Sequence, residues 1–119
     1  MKTRKALLIV ESTKKSLDRA FSVLARPSRK LAGTAILSFP DYETLGRVIT
    51  GARIQLLSCI RKDKPKSIQE LARLVGRDFK NVYSDVKLLA EFGLIDLNTR
   101  GPRRAAVPVS KYRELILAA

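Results

Sequence analysis

Apolar positions recur along this chain with two different periods, and the switches between them mark its elements. Residues 5–10, Lys-Ala-Leu-Leu-Ile-Val, form an unbroken apolar run after a basic start, the pattern of a buried or paired strand. Glu11-Ser12-Thr13 are polar and suited to capping. Leu17, Ala20, Phe21 and Leu24 then fall on one helical face, with Lys14, Lys15, Asp18 and Arg19 outside it. This predicts a helix over residues 13–25, ended by Pro27. The basic stretch Arg26-Pro27-Ser28-Arg29-Lys30 reads as a solvated loop. After Gly33, Thr34–Phe39 predicts a second strand. Residues 1–39 therefore read as strand–helix–strand, an extension set apart in pattern from residues 40–119 and suited to dimerisation or to docking a partner.

From residue 40 the helical period takes over. Pro40-Asp41 opens a helix in which Tyr42, Leu45, Val48 and Ile49 share a face. Thr50-Gly51 is a break, and Ala52–Lys62 predicts a further helix with Ile54, Leu57 and Ile60 inward. Asp63–Lys66 is a turn. Ser67 with Glu70 has the spacing of a capping box, and Ile68, Leu71, Ala72 and Val75 line the helix that follows. Gly76 stands where a helix stops, because it accepts left-handed backbone without strain. Asp78 is placed to cap the next helix, whose apolar face is Phe79, Val82, Val86 and Leu89. Gly93 ends that helix, and Leu94-Ile95 starts a strand. The segment Asn98-Thr99-Arg100-Gly101-Pro102-Arg103-Arg104 lies between two apolar runs and predicts a hairpin tip carrying three arginines. Pro108 interrupts Val107 and Val109. Residues 110–119 fit either a short helix or an extended strand, since Tyr112, Leu115 and Leu117 serve both. The fold class these elements define is α+β.

The helix over Phe79–Leu89 also has a polar side. Opposite Val82 and Val86 stand Lys80, Ser84 and Lys87, with Asn81 and Leu88 on the shoulder. A carboxamide pairs two-point with an adenine edge, and lysines reach guanine oxygens or phosphates, so this is the chemistry of a helix that reads duplex DNA. Lys80, Asn81 and Ser84 are the candidates for base edges. Lys87, Arg77, Arg100, Arg103 and Arg104 are the candidates for the sugar–phosphate backbone or the minor groove, with Tyr83 completing the set. The acids on this helix, Asp85 and Glu91, are expected to pair with its lysines.

These residues carry a resemblance. The run from Ser67 to Ile95, with Arg77-Asp78-Phe79-Lys80-Asn81-Val82 its most family-like part, resembles the helix–turn–helix and wing entry of MarR-like winged-helix regulators. The short stand-alone bacterial and archaeal type is the nearest. The resemblance is strong over residues 40–109 and weaker before. It implies a winged helix–turn–helix domain, a sequence-specific repressor of double-stranded DNA and a homodimer. Some of that type act as antitoxins that also repress their own operon, so the resemblance further implies a toxin as a protein partner.

Charge adds to this picture without deciding it. The 119-residue chain has a net charge of +13 and a pI near 10.5, which suits a phosphate-rich partner. Residues 1–66 hold 15 Lys and Arg against 5 Asp and Glu, whereas residues 67–119 hold 9 against 6. The excess thus lies upstream of the proposed reading helix, where it lines DNA or meets an acidic protein. The lone cysteine, Cys59, sits in an apolar helical pattern and reads as a small buried hydrophobe, with a reducing cytoplasm as its simplest home. No apolar run reaches membrane-spanning length, and the run KALLIV is too short for a signal peptide and meets Glu11 at once. No membrane partner is expected.

Enzyme chemistry finds no support. The chain has no histidine, which removes Ser-His, Cys-His and His-metal arrangements. It has no Walker loop or dinucleotide glycine fingerprint. No catalytic residue, metal ligand or cofactor is assigned. Two functional readings remain, a duplex-binding repressor and a protein-interaction module that neutralises a toxin through residues 1–39. A basic RNA-binding protein is the lesser third, because RNA modules present aromatics for stacking and most of the seven aromatics here fall on expected core faces.

Overall fold

A computed structural model describes residues 5–12, 14, 15, 18, 33–99 and 105–118. Its elements are α+β, with strands β1 (Lys5–Val10) and β2 (Thr34–Phe39), helices α1 (Tyr42–Val48), α2 (Gly51–Asp63), α3 (Ile68–Val75) and α4 (Phe79–Glu91), then strands β3 (Ile95–Asn98), β4 (Val107–Ser110) and β5 (Glu114–Leu117). The chain divides into two compact units. One holds residues 1–47 and 112–119, and the other holds residues 48–111. The division predicted at residues 39 and 40 therefore differs from the observed one, which gives the C-terminal strand and most of α1 to the N-terminal unit.

In the first unit, β1 is the central strand of a parallel sheet ordered β2-β1-β5. Lys5 stands opposite Thr34 on one side and Glu114 on the other. Its unbroken apolar sequence suits that central place, where side chains on both faces need cover. Ala6 and Leu8 are buried, and Phe39 closes β2 in the same core. Parallel neighbours need a long crossover, commonly helical. Of the residues between β1 and β2, 11, 12, 14, 15, 18 and 33 are described. Lys14, Lys15 and Asp18 are helical, and the Ser12 hydroxyl accepts from the Lys15 amide at 3.3 Å, as a cap should. The rest of the predicted helix, with Arg19 to Lys30, lies outside the described residues. Residues 114–117 are extended, which settles the choice left open by the sequence. They pair with β1, not with the hairpin β3–β4.

Helix α1 is started by Asp41, whose Oδ1 accepts from the Thr44 amide at 2.7 Å. That bond to the backbone is the main reason the Asp41 carboxyl lies below its ordinary value. Leu45 and Val48 are buried as expected, but Tyr42 is largely exposed.

The second unit is built by caps and one apolar core. Thr50 caps α2 by accepting from the Arg53 amide at 3.3 Å. Lys64, left-handed at φ 47°, ends that helix ahead of buried Pro65. Ser67 accepts from the Glu70 amide at 3.0 Å, and the Glu70 carboxylate accepts from the Lys66 amide at 3.2 Å. The reciprocal logic is that of a capping box, displaced by one residue on the return arm. Ser67→Ala is expected to cost about 1 kcal/mol of unfolding free energy, read by urea titration. At Gly76, φ is 67°, and the amides of Gly76 and Arg77 bond back to Arg73 and Ala72 at 3.2 and 3.0 Å. This closes α3 with two of its orphan carbonyls satisfied. Gly93 repeats the device for α4, with φ 80° and Leu94 bonding back to Leu89 at 2.9 Å.

Leu56, Ile60, Ile68, Leu71, Ala72, Val82, Val86, Leu89, Leu94 and Ile95 form the core. Two predicted faces need correction. Helix α2 turns Leu56 and Ile60 inward and leaves Ile54 49% exposed, with Arg53 on the inward side, paired to Asp85 of α4. Phe79, expected in the core, is 47% exposed. It opens α4 and packs on Tyr83 one turn ahead. The antiparallel hairpin places Ile95 opposite Ser110 and Asn98 opposite Val107, with buried Pro108 opposite Leu97 inside β4.

Among the described residues no helix is long and apolar enough to cross a membrane, and no cluster of three metal-ligating side chains is present. Cys59 is half-buried. Burial first, then the Asp63 carboxylate that accepts its S–H at 3.4 Å, raises the thiol above its ordinary value. Its reaction with thiol reagents should therefore be slow at neutral pH and accelerate as pH rises, measured by release of a chromogenic disulfide.

Candidate functional site

The outward side of α4 follows from its inward side. Val82, Val86 and Leu89 are fully buried, at 0% exposure. The 100° step of the helix then projects Lys80, Asn81, Tyr83, Ser84 and Lys87 away from the core, and all five are exposed. Leu88, predicted on the shoulder, is half-buried. The structure thus brings together five of the nine residues singled out from the sequence as one solvent-facing strip. Arg100, Arg103 and Arg104 lie outside the described residues.

Arg77 has a different place. Its Nη2 donates to Asp85 Oδ2 at 2.9 Å, and the Nε of Arg53 on α2 donates to Asp85 Oδ1 at 3.2 Å. Arg53 also donates through Nη1 to the Val48 carbonyl at 3.4 Å. Asp85 is 13% exposed in its side chain, against 20% for Arg53 and 29% for Arg77. These values make both ion pairs half-buried, where screening is weaker than at an open surface. Arg77 Nη1 is itself buried without a hydrogen-bond partner. The arginine expected to hold backbone phosphate is therefore committed inward. Asp85, expected to pair with lysines of its own helix, instead joins α2, the α3–α4 turn and α4 at one carboxylate.

Asp78 occupies the cap position of α4, yet its side chain makes no cap bond. The first amides of α4 are not tied up by that carboxylate. The strip has a second character beside its polar one. Phe79 and Tyr83 stack one turn apart, with centroids 5.8 Å apart, and Lys87 Nζ lies 5.6 Å from the Tyr83 ring centre. Sequence reasoning missed Phe79 as a surface residue and Arg53 as a brace. The 3.6-residue period assigned Phe79 to the core because it ignores where a helix begins. Arg53 and Asp85 are 32 positions apart, and no local pattern links them.

Taken as chemistry, this site offers an amide, a hydroxyl, two ammonium groups and two rings on a helix held by half-buried ion pairs. Groups of this kind can donate and accept hydrogen bonds, meet an anion and pack against a flat ring. The protein so defined is an α+β protein with an exposed, cationic helix face. Residues 48–117 match the model of the HVO_A0114 family, and the chain belongs to that family. The match takes in α2 to β5. No curated protein and no solved structure matches the chain.

Proposed function

We propose that residues 48–111 form a MarR-like winged helix–turn–helix and that the chain is a sequence-specific, duplex-binding transcriptional repressor. The observation that carries this reading is the exposed strip Lys80-Asn81-Ser84-Lys87 on a helix fixed by Asp85 to Arg53 and Arg77. Helices α3 and α4 are the helix–turn–helix pair, Gly76 makes their turn, and β3–β4 is the wing. Lys80, Asn81 and Ser84 face base edges, with Tyr83 beside them, while Lys87 and the wing arginines Arg100, Arg103 and Arg104 hold the backbone. The repressor acts as a cytoplasmic homodimer, since two-fold related helices on half-sites one turn apart double the contacts.

Binding to the DNA upstream of its own coding sequence, measured at two salt concentrations, tests this reading. Binding should be tight and strongly salt-dependent. Arg103→Ala should weaken every duplex alike and lower the slope of log affinity against log salt by roughly one. Binding no tighter than to unrelated DNA would refute a repressor of its own operon.

One observation favours a second role, as an antitoxin that docks a toxin. Edge strand β5 leaves Leu115, Ile116 and Leu117 exposed at 37%, 41% and 58%. An unpaired edge with apolar side chains invites another chain. Ile116→Lys would then lose a co-purifying protein partner while retaining DNA binding. Retention of every partner would remove the docking role.

A further inference from the structure

Along one side of α4, Phe79, Tyr83 and Lys87 follow at one-turn spacing, so one surface stripe carries two rings and an ammonium group. Phe79 and Tyr83 are 47% and 41% exposed. They form one wall of an open pocket of about 260 Å3, closed by Ile68 at the start of α3 and by Ala105 and Ala106 just before β4. The other two lining residues are Ser67 and Gln69. The lysines Lys80 and Lys87 stand exposed on the same helix.

Apolar walls, exposed rings and flanking cations suit a ligand that is aromatic and anionic at once. Every nucleobase offers a face to a ring, and its phosphate answers a lysine. Bases inside a duplex are stacked on one another and offer only their edges, which is the chemistry of the neighbouring Asn81 and Ser84. The ring wall asks for a base that has left the stack. We propose that this pocket takes unpaired thymine bases of single-stranded DNA. The 5-methyl group of thymine fits a lining of Ile68, Ala105 and Ala106. A deoxyribose strand is the choice, because the 5-methyl group that meets this apolar wall belongs to thymine, the base of DNA. The proposal goes beyond duplex reading and uses the adjoining side of the helix.

Since any chain of net charge +13 attracts phosphate, the test must separate stacking from charge. A short labelled oligo(dT) and an abasic deoxyribose strand of equal length carry the same phosphates. The full chain is expected to bind oligo(dT) about tenfold tighter than the abasic strand, by fluorescence anisotropy at fixed salt. Phe79→Ala should remove most of that difference, with its fold checked by thermal unfolding. A second variant keeps the ring and changes the signal. Oligo(dT) should quench tyrosine emission in the wild type, and Tyr83→Phe should lose most of that quench while still preferring oligo(dT) to the abasic strand, because a ring remains in the wall. Equal affinity for oligo(dT) and the abasic strand would overturn the proposal. So would a quench undiminished in Tyr83→Phe, and oligo(rU) bound as tightly as oligo(dT) would overturn the choice of a deoxyribose strand.

Discussion

Asp85→Ala should destabilise the helical unit by about 2–3 kcal/mol, the largest loss expected of any single polar change in this chain. The carboxylate accepts from two guanidinium groups, at 3.2 and 2.9 Å, with side-chain exposures of 13% to 29%. Removing it takes the carboxylate away from two half-buried arginines. The charge left without its partner, more than the lost attraction, dominates the cost when one member of a buried ion pair is removed. Partial access to water brings the figure below that of a wholly buried pair. Arg77→Ala should cost less, because Asp85 keeps Arg53, and Asp85→Asn should fall between the two. Urea titration of the three variants gives the order directly. A loss under about 0.5 kcal/mol for Asp85→Ala would place it among ordinary surface substitutions and remove the brace. The proposed reading role adds a consequence. A helix that is less firmly held should lose preference for its site before it loses general affinity for DNA.

Asn81→Ala should cost about 1–3 kcal/mol of discrimination at one base pair and leave binding to unrelated duplexes unchanged. Asn81 is exposed in the first turn of α4, between Lys80 and the buried Val82. Its amide is the group on the strip best shaped for a two-point contact with adenine. Because it is exposed, the substitution should leave unfolding nearly untouched, within about 0.5 kcal/mol. The variant thus separates reading from folding. Measured against duplexes differing at one position, the loss should be confined to that position. Uniform weakening on every duplex would mean that Asn81 contributes no reading contact.

Much of this architecture was legible because its signals are local. The unbroken run over residues 5–10 and the body Thr34–Phe39 became β1 and β2 with the expected bounds. Ser67, Glu70, Gly76 and Gly93 marked helix ends through backbone chemistry that acts over three or four residues. The exposed character of Lys80, Asn81, Ser84 and Lys87 followed from the period that buried Val82 and Val86. What the sequence hid was set by distance. The pairing of β5 with β1 joins positions about the length of the chain apart, and residues 110–119 have no period that distinguishes strand from helix. Helix α2 buries Leu56 in place of Ile54 and sets Arg53 against Asp85, a partner invisible to a helical wheel. Arg77 looked like a phosphate ligand because a basic residue before a reading helix often is one. Only the position of Asp85 shows that its guanidinium turns inward.

The exposure of Phe79 bears on the weighing of functions as well. Placing most aromatics in the core argued against contact with unpaired bases. With Tyr42, Phe79 and Tyr83 at 66%, 47% and 41% exposure, three of the six aromatics among the described residues face outward, and that argument loses much of its force. Duplex reading and base stacking would then occupy adjoining sides of one helix, divided by chemistry into an amide-and-hydroxyl side and a ring side.

The central claim is that the polar side of α4 reads a particular duplex sequence, and selection from a pool of randomised DNA duplexes by the full chain tests it most directly. A two-fold symmetric site with half-sites about one helical turn apart should be enriched. The same selection with Asn81→Ala should enrich the site with one position relaxed in each half. Recovery of a pool with no common sequence, at affinities that depend on salt alone, would contradict it.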